Sequence, residues 1–438
     1  MQNIENTQKK SNMQKVALTA LAGTSIEWYD FFLYGAAAAL IFPTAFFGEM
    51  PPTTALLLSL LTFAAGFIAR PIGGIIFGHF GDKVGRKKTL ISALMLMGIS
   101  STLIGLLPTY AMIGVAAPIL LTTLRFAQGL AIGGQWGGAM LLVTESAPSD
   151  QRGYYGAFAQ AGAPIGVILA NLALIITSAL VSEEFFNTWG WRIPFLASAV
   201  LILISMYIQL NLEDTGAFKA LGDNKDTQSD ENIKKSPVVE AIRKYPKRIF
   251  LAAGAFLSVQ VTFYILIAFM LAYGVTSANM ARDDMLAAVL IASAIMVPVQ
   301  FIFSSYSDRH GRKGIFMSGA VLTGIWAFAI FPLVDTGNFY LIVLAITGGL
   351  VFLAMMYGPQ AAFFTELFST EVRYSGATLG YQFGAIVGGA FAPTIAVKLW
   401  TEFDIIWVSA YIALASLLTL LSVMALTETY QSDLNNTD

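Results

Sequence analysis

The 438-residue sequence contains no cysteine and only two histidines. The lack of cysteine excludes a disulfide scaffold, a cysteine-ligated zinc site and thiol catalysis. Charged residues are also scarce: they make up 12% of the chain, whereas soluble domains carry about 25%. Because the net charge is −2 and no large basic block is present, the composition excludes a nucleic-acid-binding chain and a disordered one.

Several catalytic motifs are missing as well. The sequence has no G-x-x-x-x-G-K-[ST] loop, which argues against ATP hydrolysis by this chain. It also lacks H-E-x-x-H and G-x-S-x-G, the patterns of intramembrane metalloproteases and serine-type proteases. We therefore expect a protein that is not an enzyme and that uses no cofactor and no metal.

Long apolar runs dominate what is present. Hydrophobic residues make up 56% of the chain and the mean hydropathy is +0.68. A helix needs about 20 apolar residues to cross a hydrocarbon core of about 30 Å, whereas a barrel strand needs only about 10. The runs therefore predict an all-α membrane protein with twelve transmembrane helices. They lie near residues 17–45, 54–80, 88–107, 112–143, 153–181, 191–211, 249–275, 284–306, 314–333, 339–366, 374–400 and 405–427.

The basic residues predict the orientation of these spans. Twenty Lys and Arg residues lie in the two tails and the even-numbered loops, and three lie in the odd-numbered loops: Arg192, Arg282 and Lys398. Cytoplasmic loops carry the excess of basic residues in membrane proteins. We therefore expect both termini in the cytoplasm, and an even number of spans satisfies that arrangement.

The one long polar connection divides the chain in two. Residues 1–211 form a predicted six-helix bundle, residues 212–247 a cytoplasmic linker, and residues 248–438 a second six-helix bundle. Within the linker, Ser236 and Pro237 have the residue types of a helix N-cap and first helical position. This pattern predicts a short helix at the membrane surface near the end of the linker.

Two motifs recur in both halves at nearly the same offset. The sequence D-K-V-G-R-K that begins at Asp82 recurs as D-R-H-G-R-K at Asp308, 226 residues later. The pair Thr-Glu that begins at Thr144 recurs at Thr365, 221 residues later. Repeated halves of this kind are typical of transporters that rock about a binding site near the bilayer midplane.

The charged residues of these repeated loops are candidates for a cytoplasmic gate. Glu145 and Arg152 are seven residues apart across one loop, and Glu366 and Arg373 are seven apart across its repeat. The alternative is a set of exposed ion pairs worth only about 0–1 kcal/mol each. The predicted gate residues are Asp82, Arg86, Glu145, Arg152, Asp308, Arg312, Glu366 and Arg373.

Four ionisable residues lie in the middle of first-half spans: Glu27, Asp30, Arg70 and Arg125. A charge there costs at least about 2.5–3.5 kcal/mol, so it has to be paired or face a cavity. Glu27, Asp30 and Tyr34 share one helix face. An acid on this span that faces Arg125 would act as a proton switch, because protonation of the acid would release the arginine for an anion. Purely structural pairing of the four charges is the alternative.

The second half has no comparable charge in its spans and offers polar and aromatic side chains instead. Tyr357, Gln360 and Gln382 are the predicted substrate-binding residues on this side, and Gln135 and Trp136 are added from a glycine-rich run in the first half. Such groups suit a small polar ligand. The alternative is that they hydrogen-bond between helices as packing contacts.

Four first-half segments and several second-half motifs resemble one family. The first-half segments are G-T-S-I-E-W-Y-D-F at 23–31, R-P-I-G-G at 70–74, the loop 78–88, and L-R-F-A-Q-G at 124–129. Together they resemble the metabolite:proton symporter family of the major facilitator superfamily, and the whole chain is most similar to bacterial shikimate transporters. The resemblance implies proton-coupled uptake of a small organic acid or zwitterion by alternating access.

The resemblance also implies roles for individual residues. The coupling pair of proton-driven relatives corresponds to Asp30 and Arg125, with Glu27 beside them, and the substrate site includes Arg70, Arg125 and Tyr34. Position 135 is commonly Glu in this family and is Gln135 here, which favours an anionic substrate. We expect a monomeric importer of a shikimate-like carboxylate that binds protons and lipid but no nucleic acid. The alternative is a symporter for a zwitterionic osmolyte such as proline or betaine.

Overall fold

The structure, a computed structural model, describes the backbone of residues 2–84, 86–133, 136–213, 237–369 and 373–430. Side chains are described in these ranges except at 2–12, 78–90, 136–139, 142, 208–213, 237–240 and 374. Every regular element in this part of the chain is helical. The predicted all-α class is therefore confirmed.

The first half contains ten α-helices. Short helices alternate with long ones because glycine and proline interrupt the apolar runs at their ends. The elements are α1 (Gln2–Leu40), α2 (Phe42–Phe47), α3 (Pro52–Val84), α4 (Arg86–Leu106), α5 (Tyr110–Ile113), α6 (Ala116–Gly133), α7 (Trp136–Ser146), α8 (Arg152–Leu180), α9 (Glu183–Thr188), a 3₁₀ turn (Gly190–Arg192) and α10 (Ile193–Glu213).

The second half begins with a short helix and contains two π-helical segments. The elements are α11 (Pro237–Lys244), α12 (Pro246–Tyr264), the first π segment (Ile265–Phe269), α13 (Met270–Thr276), α14 (Arg282–His310), α15 (Arg312–Val334), α16 (Phe339–Glu366), α17 (Arg373–Gly384), the second π segment (Ala385–Ala390), α18 (Ala392–Glu402) and α19 (Ile406–Ala425). Helix α11 begins at Pro237, as expected of a proline at the first helical position. The predicted linker's central part, residues 214–236, lies outside the described residues.

Each of the twelve predicted apolar runs is mainly helical where the structure describes it. Ten helices in the described residues are long and apolar enough to cross a membrane, and Ile91–Leu106 in α4 is a shorter apolar helix. Helix α1 has the length, but Glu27 and Asp30 lower the hydropathy of its middle. The predicted run 112–143 starts later than expected, because Gly114 adopts a φ of 61° and separates α5 from α6.

Helices α3 and α6 touch through their backbones. A Cβ atom at Gly129 would lie 2.1 Å from the carbonyl oxygen of Gly66, and one at Gly133 would lie 1.9 Å from that of Arg70. Both distances are far below van der Waals contact, so only glycine fits at these positions of α6. The contact brings Arg70 of α3 and Arg125 of α6 to the same side of the first half.

The two halves pack against each other through several pairs of helices, including α8 with α16. Helix α8 runs beside α14 over much of its length, α1 meets the first π segment and α13, and α3 meets the second π segment and α18. Both π segments therefore face the first half. Single-turn π segments are frequent at functional sites, which directs attention to the space between α1, α3 and these two segments.

We expect Gly129→Ala to destabilise the protein, because the added methyl group would overlap the α3 backbone. Overpacking of this kind costs about 1–3 kcal/mol, which a lowered midpoint of thermal unfolding in detergent would report. The control is Gly314→Ala on α15, where a Cβ atom meets nothing within 4 Å. Equal midpoints for the two variants would contradict the close backbone contact.

Candidate functional site

Two arginines lie buried side by side in the first half. Arg70 of α3 is 1% exposed and Arg125 of α6 is fully buried. Their guanidinium carbons lie 4.3 and 4.1 Å from the ring centroid of Phe31 on α1. The ring therefore contacts both cations, an arrangement stabilised by cation–π attraction.

Further aromatic rings complete the surroundings of each guanidinium. Arg125 also lies 4.3 Å from the ring of Tyr34 and 4.6 Å from that of Phe63. Arg70 also lies 4.4 Å from the ring of Phe67 and 5.3 Å from that of Trp28. Among the described residues, Nε and Nη2 of both arginines have no hydrogen-bond partner. Both side chains therefore keep donors available to a ligand.

Asp30 lies on α1, one residue before Phe31, and is 2% exposed. Its Oδ1 accepts a hydrogen bond from Ser198 of α10, and Ser101 of α4 lies within interaction range of the same carboxylate. Its Oδ2 has no hydrogen-bond partner among the described residues. Asp30 and Arg125 interact electrostatically but, within this part of the chain, make no direct ion pair.

Gln128 links the arginine to the serine beside the aspartate. Arg125 Nη1 donates to Gln128 Oε1 at 3.1 Å, and Gln128 Nε2 donates to Ser101 Oγ at 2.7 Å. Both acceptor side chains are buried. The acid and the base that the sequence singled out are therefore brought into one network, with two uncharged side chains between them.

The remaining predicted residues of the first half lie at different places. Tyr34 is buried and hydrogen-bonded to Thr62 at 2.6 Å. Glu27 lies one turn before Asp30 on α1 and is partly exposed. Gln135 and the side chain of Trp136 lie outside the described residues.

A small enclosed cavity lies between the halves. Its volume of ≈10 Å³ is about that of one water molecule. Helices α1 and α8 supply part of the wall, and α12, α16 and α17 supply the rest. The lining residues are Trp28, Phe32, Ala163, Phe256, Val259, Gln260, Phe263, Tyr264, Tyr357 and Tyr381.

Arg70 provides the positive charge beside this cavity. Its guanidinium interacts electrostatically with Tyr264, Tyr357 and Tyr381, so a first-half cation faces three second-half phenols. The amide nitrogen of Gln260 in the same wall has no described hydrogen-bond partner. The cavity therefore combines apolar ring faces with several hydrogen-bond donors.

Of the three second-half residues predicted to bind substrate, Tyr357 lines this cavity and the two glutamines do not. Gln360 and Gln382 are buried, and both amide atoms of Gln360 and Oε1 of Gln382 have no described partner. Neither lines the cavity itself. The predicted site omitted Gln260, Tyr264 and Tyr381. Their position beside the π segments could not be read from a sequence in which tyrosine and glutamine recur in several spans.

We call one end of the bundle the basic end. It carries Glu145, Arg152, Asp308, Arg312 and Glu366. Arg312 is fully buried and pairs with Asp308 at 2.7 Å and with Glu366 at 3.1 Å. Asp308 also accepts hydrogen bonds from the backbone N–H groups of Gly153 and Tyr154 at 2.7 and 2.8 Å. A carboxylate at the first turn of α8 is favoured by the helix dipole, so this contact joins the halves.

The Glu and Arg residues of the repeated loops pair across the halves. Arg373 Nη1 lies 3.1 Å from Glu145 Oε1, and Arg152 Nη1 lies 3.9 Å from Glu366 Oε1. Thr144 and its repeat Thr365 hydrogen-bond to each other at 3.1 Å. The seven-residue spacing predicts a pair between each Glu and the Arg of its own loop, but in the structure each Glu pairs with the Arg of the other half. The side chains of Asp82 and Arg86 lie outside the described residues.

The opposite end of the bundle also joins the halves, through α8, α9 and α14. Ser178 donates to Asp283 at 2.7 Å, and Arg282 donates to Asn187 at 3.2 Å. The Arg282 guanidinium also lies 4.1 Å from the ring of Phe186. Contacts at both ends thus enclose the central cavity.

Comparisons with known proteins agree with this architecture. A model of the Major Facilitator Superfamily matches residues 20–378. The solved structure of the proton:xylose symporter XylE bound to 6-bromo-6-deoxy-D-glucose superposes with a TM-score of 0.72 at 18% identity, over 98% of each chain. At this identity the likeness shows the fold.

Relatives of higher sequence identity are transport proteins, and they match this chain over most of their length. The inner membrane metabolite transport protein YhjE of Escherichia coli is 39% identical over 97% of this chain and 96% of its own. The shikimate transporter of E. coli is 37% identical over 94% and 93%. The glycine betaine/proline/ectoine/pipecolic acid transporter OusA of Dickeya dadantii is 33% identical over 93% and 82%. The chain therefore belongs to the major facilitator superfamily and is a multi-pass membrane transporter, not an enzyme.

Proposed function

We propose that this protein is a proton-coupled symporter that imports a small carboxylate by alternating access. The observation that carries the proposal is a buried carboxylate, Asp30, in one polar network with Arg125, next to a second buried cation, Arg70, at the central cavity. Ionisable groups within membrane spans are expensive and generally mark substrate or proton pathways. Its relatives include a shikimate transporter, which supports a carboxylate substrate.

Asp30 is the proposed proton acceptor, with Glu27 and Arg125 as its partners in coupling. Ionised Asp30 attracts the Arg125 guanidinium, and protonated Asp30 does not. Proton binding therefore makes Arg125 more available to an anion. By linkage, an anion bound there favours protonation of Asp30 by the same factor, so proton and substrate are carried together.

Arg70 is the proposed partner of the substrate carboxylate at the cavity. It has unpartnered Nε and Nη2 atoms and lies beside the phenols of Tyr264 and Tyr357, which can bind hydroxyl groups of the substrate. Guanidinium–carboxylate pairs are among the strongest hydrogen-bonded contacts in proteins. The full proposed substrate-binding set is Arg70, Arg125, Tyr34, Gln135, Trp136, Tyr357, Gln360 and Gln382.

A zwitterionic osmolyte such as proline or betaine is the second candidate. The aromatic cavity wall, which includes Trp28 and Tyr381, suits a quaternary ammonium group, and OusA is named for such substrates. Among the residues that the structure describes, no carboxylate side chain lines the cavity, whereas Arg70 places a cation beside it, and this positive charge favours a carboxylate substrate. Uptake of labelled shikimate and of labelled glycine betaine into proteoliposomes distinguishes the two candidates.

We also propose a membrane orientation and a cytoplasmic gate. The basic end faces the cytoplasm of a bacterium, both termini lie there, and the protein spans the inner membrane as a monomer. The bundles 1–211 and 248–438, joined by the linker 212–247, rock about the central cavity. The gate residues at the basic end are Asp82, Arg86, Glu145, Arg152, Asp308, Arg312, Glu366 and Arg373, and their contacts break when the cavity opens to the cytoplasm.

We expect Asp30→Asn to abolish uphill accumulation while substrate exchange across the membrane persists, because asparagine cannot bind and release a proton. Proteoliposomes with an inward proton gradient measure the first property, and exchange without a gradient measures the second. Asp150→Asn, at an exposed aspartate, is the control and retains both. Accumulation of substrate against its gradient by Asp30→Asn would exclude Asp30 as the coupling acid.

Arg70→Gln is expected to weaken carboxylate binding by about tenfold or more, because a charge-assisted contact worth about 1.5–3 kcal/mol is lost. Isothermal titration of the purified protein measures the dissociation constant. Arg309→Gln, at an exposed arginine, serves as the control with unchanged binding. Unchanged binding in Arg70→Gln together with a loss in Arg125→Gln would assign the carboxylate to Arg125.

We expect that breaking the Glu145–Arg373 pair opens the basic end, and that exchanging the charges of the two residues closes this end again. Because the chain has no cysteine, a single Ala163→Cys substitution in the cavity wall reports access of a maleimide. Labelling should rise several-fold in Arg373→Glu and return toward the starting rate when Glu145→Arg is added.

The control for this charge exchange is Lys398→Glu, which breaks an exposed pair with Glu402. Exposed pairs contribute little, so labelling at position 163 should not change in this variant. An equal rise in the single and the double exchange at the basic end would contradict a gating role for the Glu145–Arg373 contact.

A further inference from the structure

A chain of polar side chains, which we call the relay, runs from Arg125 through Gln128 and Ser101 to Asp30. Within the described residues, Arg125 and Asp30 themselves form no ion pair. The relay runs from Arg125 Nη1 to Gln128 Oε1 (3.1 Å) and from Gln128 Nε2 to Ser101 Oγ (2.7 Å), and Ser101 interacts with the Asp30 carboxylate. All four side chains are at most 2% exposed. Water therefore has little access to screen or replace these bonds.

The chemistry of the end groups sets the direction of every bond in this chain. A guanidinium only donates hydrogen bonds, so the amide oxygen of Gln128 has to face Arg125 and its NH₂ group has to face Ser101. An ionised carboxylate only accepts, and Ser101 already receives the Gln128 N–H on its oxygen, so in any bond between Ser101 and ionised Asp30 the Ser101 hydroxyl is the donor. All donors therefore point from the base toward the acid.

The geometry points to Gln128 and Ser101 as positioning residues that transmit the protonation of Asp30 to Arg125. The inference rests on the proposed proton coupling and specifies how it operates. Bonds that end on an ionised group are about twice as strong as neutral ones, and each bond in a chain polarises the next. While Asp30 is ionised, the chain is polarised along its length and Gln128 holds Arg125 firmly.

Protonation of Asp30 changes the hydrogen bonding at its carboxyl group from accepting only to donating as well. Protonated Asp30 has a hydroxyl to donate, and Ser198 can receive it because its own hydroxyl has a second acceptor, the Pro194 carbonyl oxygen at 3.5 Å. Ser101 then no longer donates to a charge, the polarisation of the chain falls, and the Gln128 oxygen becomes a weaker acceptor. Arg125 is thereby released toward an anion.

The surrounding titratable groups leave few alternatives for a pH response near neutrality. Phenols and guanidiniums change charge far above pH 8 in their ordinary ranges, so Glu27 is the second carboxyl to consider. Helices α4 and α10 present serines to Asp30. The charged and titratable groups around Asp30 and Arg125 are Glu27, Tyr29 and Tyr34 on α1, Arg70 on α3 and Tyr264 on α12.

The test compares the pH dependence of substrate affinity in the wild type and in Gln128→Met, which keeps the side-chain length and removes both hydrogen bonds. The probe is the carboxylate, from a panel of shikimate, citrate and 2-oxoglutarate, that the wild type accumulates. Between about pH 5.5 and pH 8 we expect at least a fivefold change in its affinity for the wild type, the lower range of typical coupling. For Gln128→Met we expect a smaller change of affinity with pH, because only the direct electrostatic attraction between Asp30 and Arg125 then remains.

Gln300→Met is the matched control. Gln300 is fully buried and donates to the Ala157 carbonyl at 3.3 Å. It lies on α14, which contributes no residue to the relay. The pH dependence of Gln300→Met should equal that of the wild type. A second pair of variants tests the contact between Ser101 and Asp30: Ser101→Ala should reduce the pH dependence, and Ser101→Thr, which keeps a hydroxyl, should retain it.

The outcomes separate the relay from the proposed function. Coupled transport and pH-dependent affinity in the wild type, with the same dependence in Gln128→Met and Ser101→Ala, would overturn the relay and leave proton coupling in place. Loss of binding at every pH in both variants would also overturn it, because the residues would then serve structure or binding. A wild type that accumulates no carboxylate on the panel would overturn the proposed function and the relay together.

Discussion

The central constraint on this molecule is that two guanidinium groups lie buried between membrane-spanning helices, and no carboxylate in the described part of the chain forms an ion pair with either. Each charge costs at least about 2.5–3.5 kcal/mol at such depth, and contact with an aromatic ring returns about 0.5–2 kcal/mol. Arg70 and Arg125 share the ring of Phe31, so α1, α3 and α6 have to stay together. The glycine contacts between α3 and α6 provide the necessary closeness.

The two halves contribute different chemistry to the centre and similar chemistry to the basic end. At the centre, the first half supplies the charges, and the second half supplies phenols and amides. At the basic end, repeat-related Thr144 and Thr365 meet each other, and each loop's glutamate pairs with the arginine of the other half. This exchange of partners is the expected result of a pseudo-two-fold axis, in which a contact from one half is mirrored by the other.

Sequence reasoning succeeded where an energetic cost made a residue conspicuous. Asp30, Arg70 and Arg125 stood out because charges are rare within apolar runs. Gln128, Ser101 and Ser198 did not stand out, because uncharged polar side chains are common packing contacts in membrane helices. Ser198 meets Asp30 across 168 residues of sequence, and no local pattern records such a contact. The π segments at 265–269 and 385–390 also had no signal in the apolar periodicity.

The amino-acid sequence alone determined that this chain spans a membrane with twelve helices in two related halves, since hydropathy and repeated motifs are local properties. It also determined which ionisable side chains lie at mid-span. Only the tertiary structure decided which groups meet: Arg125 is hydrogen-bonded through Gln128 to Ser101, which lies beside Asp30, Glu145 pairs with Arg373, and Arg70 lies beside the tyrosines of the other half. Which side chains pair depends on how the helices rotate and cross when they pack, and residues adjacent in sequence do not determine that rotation.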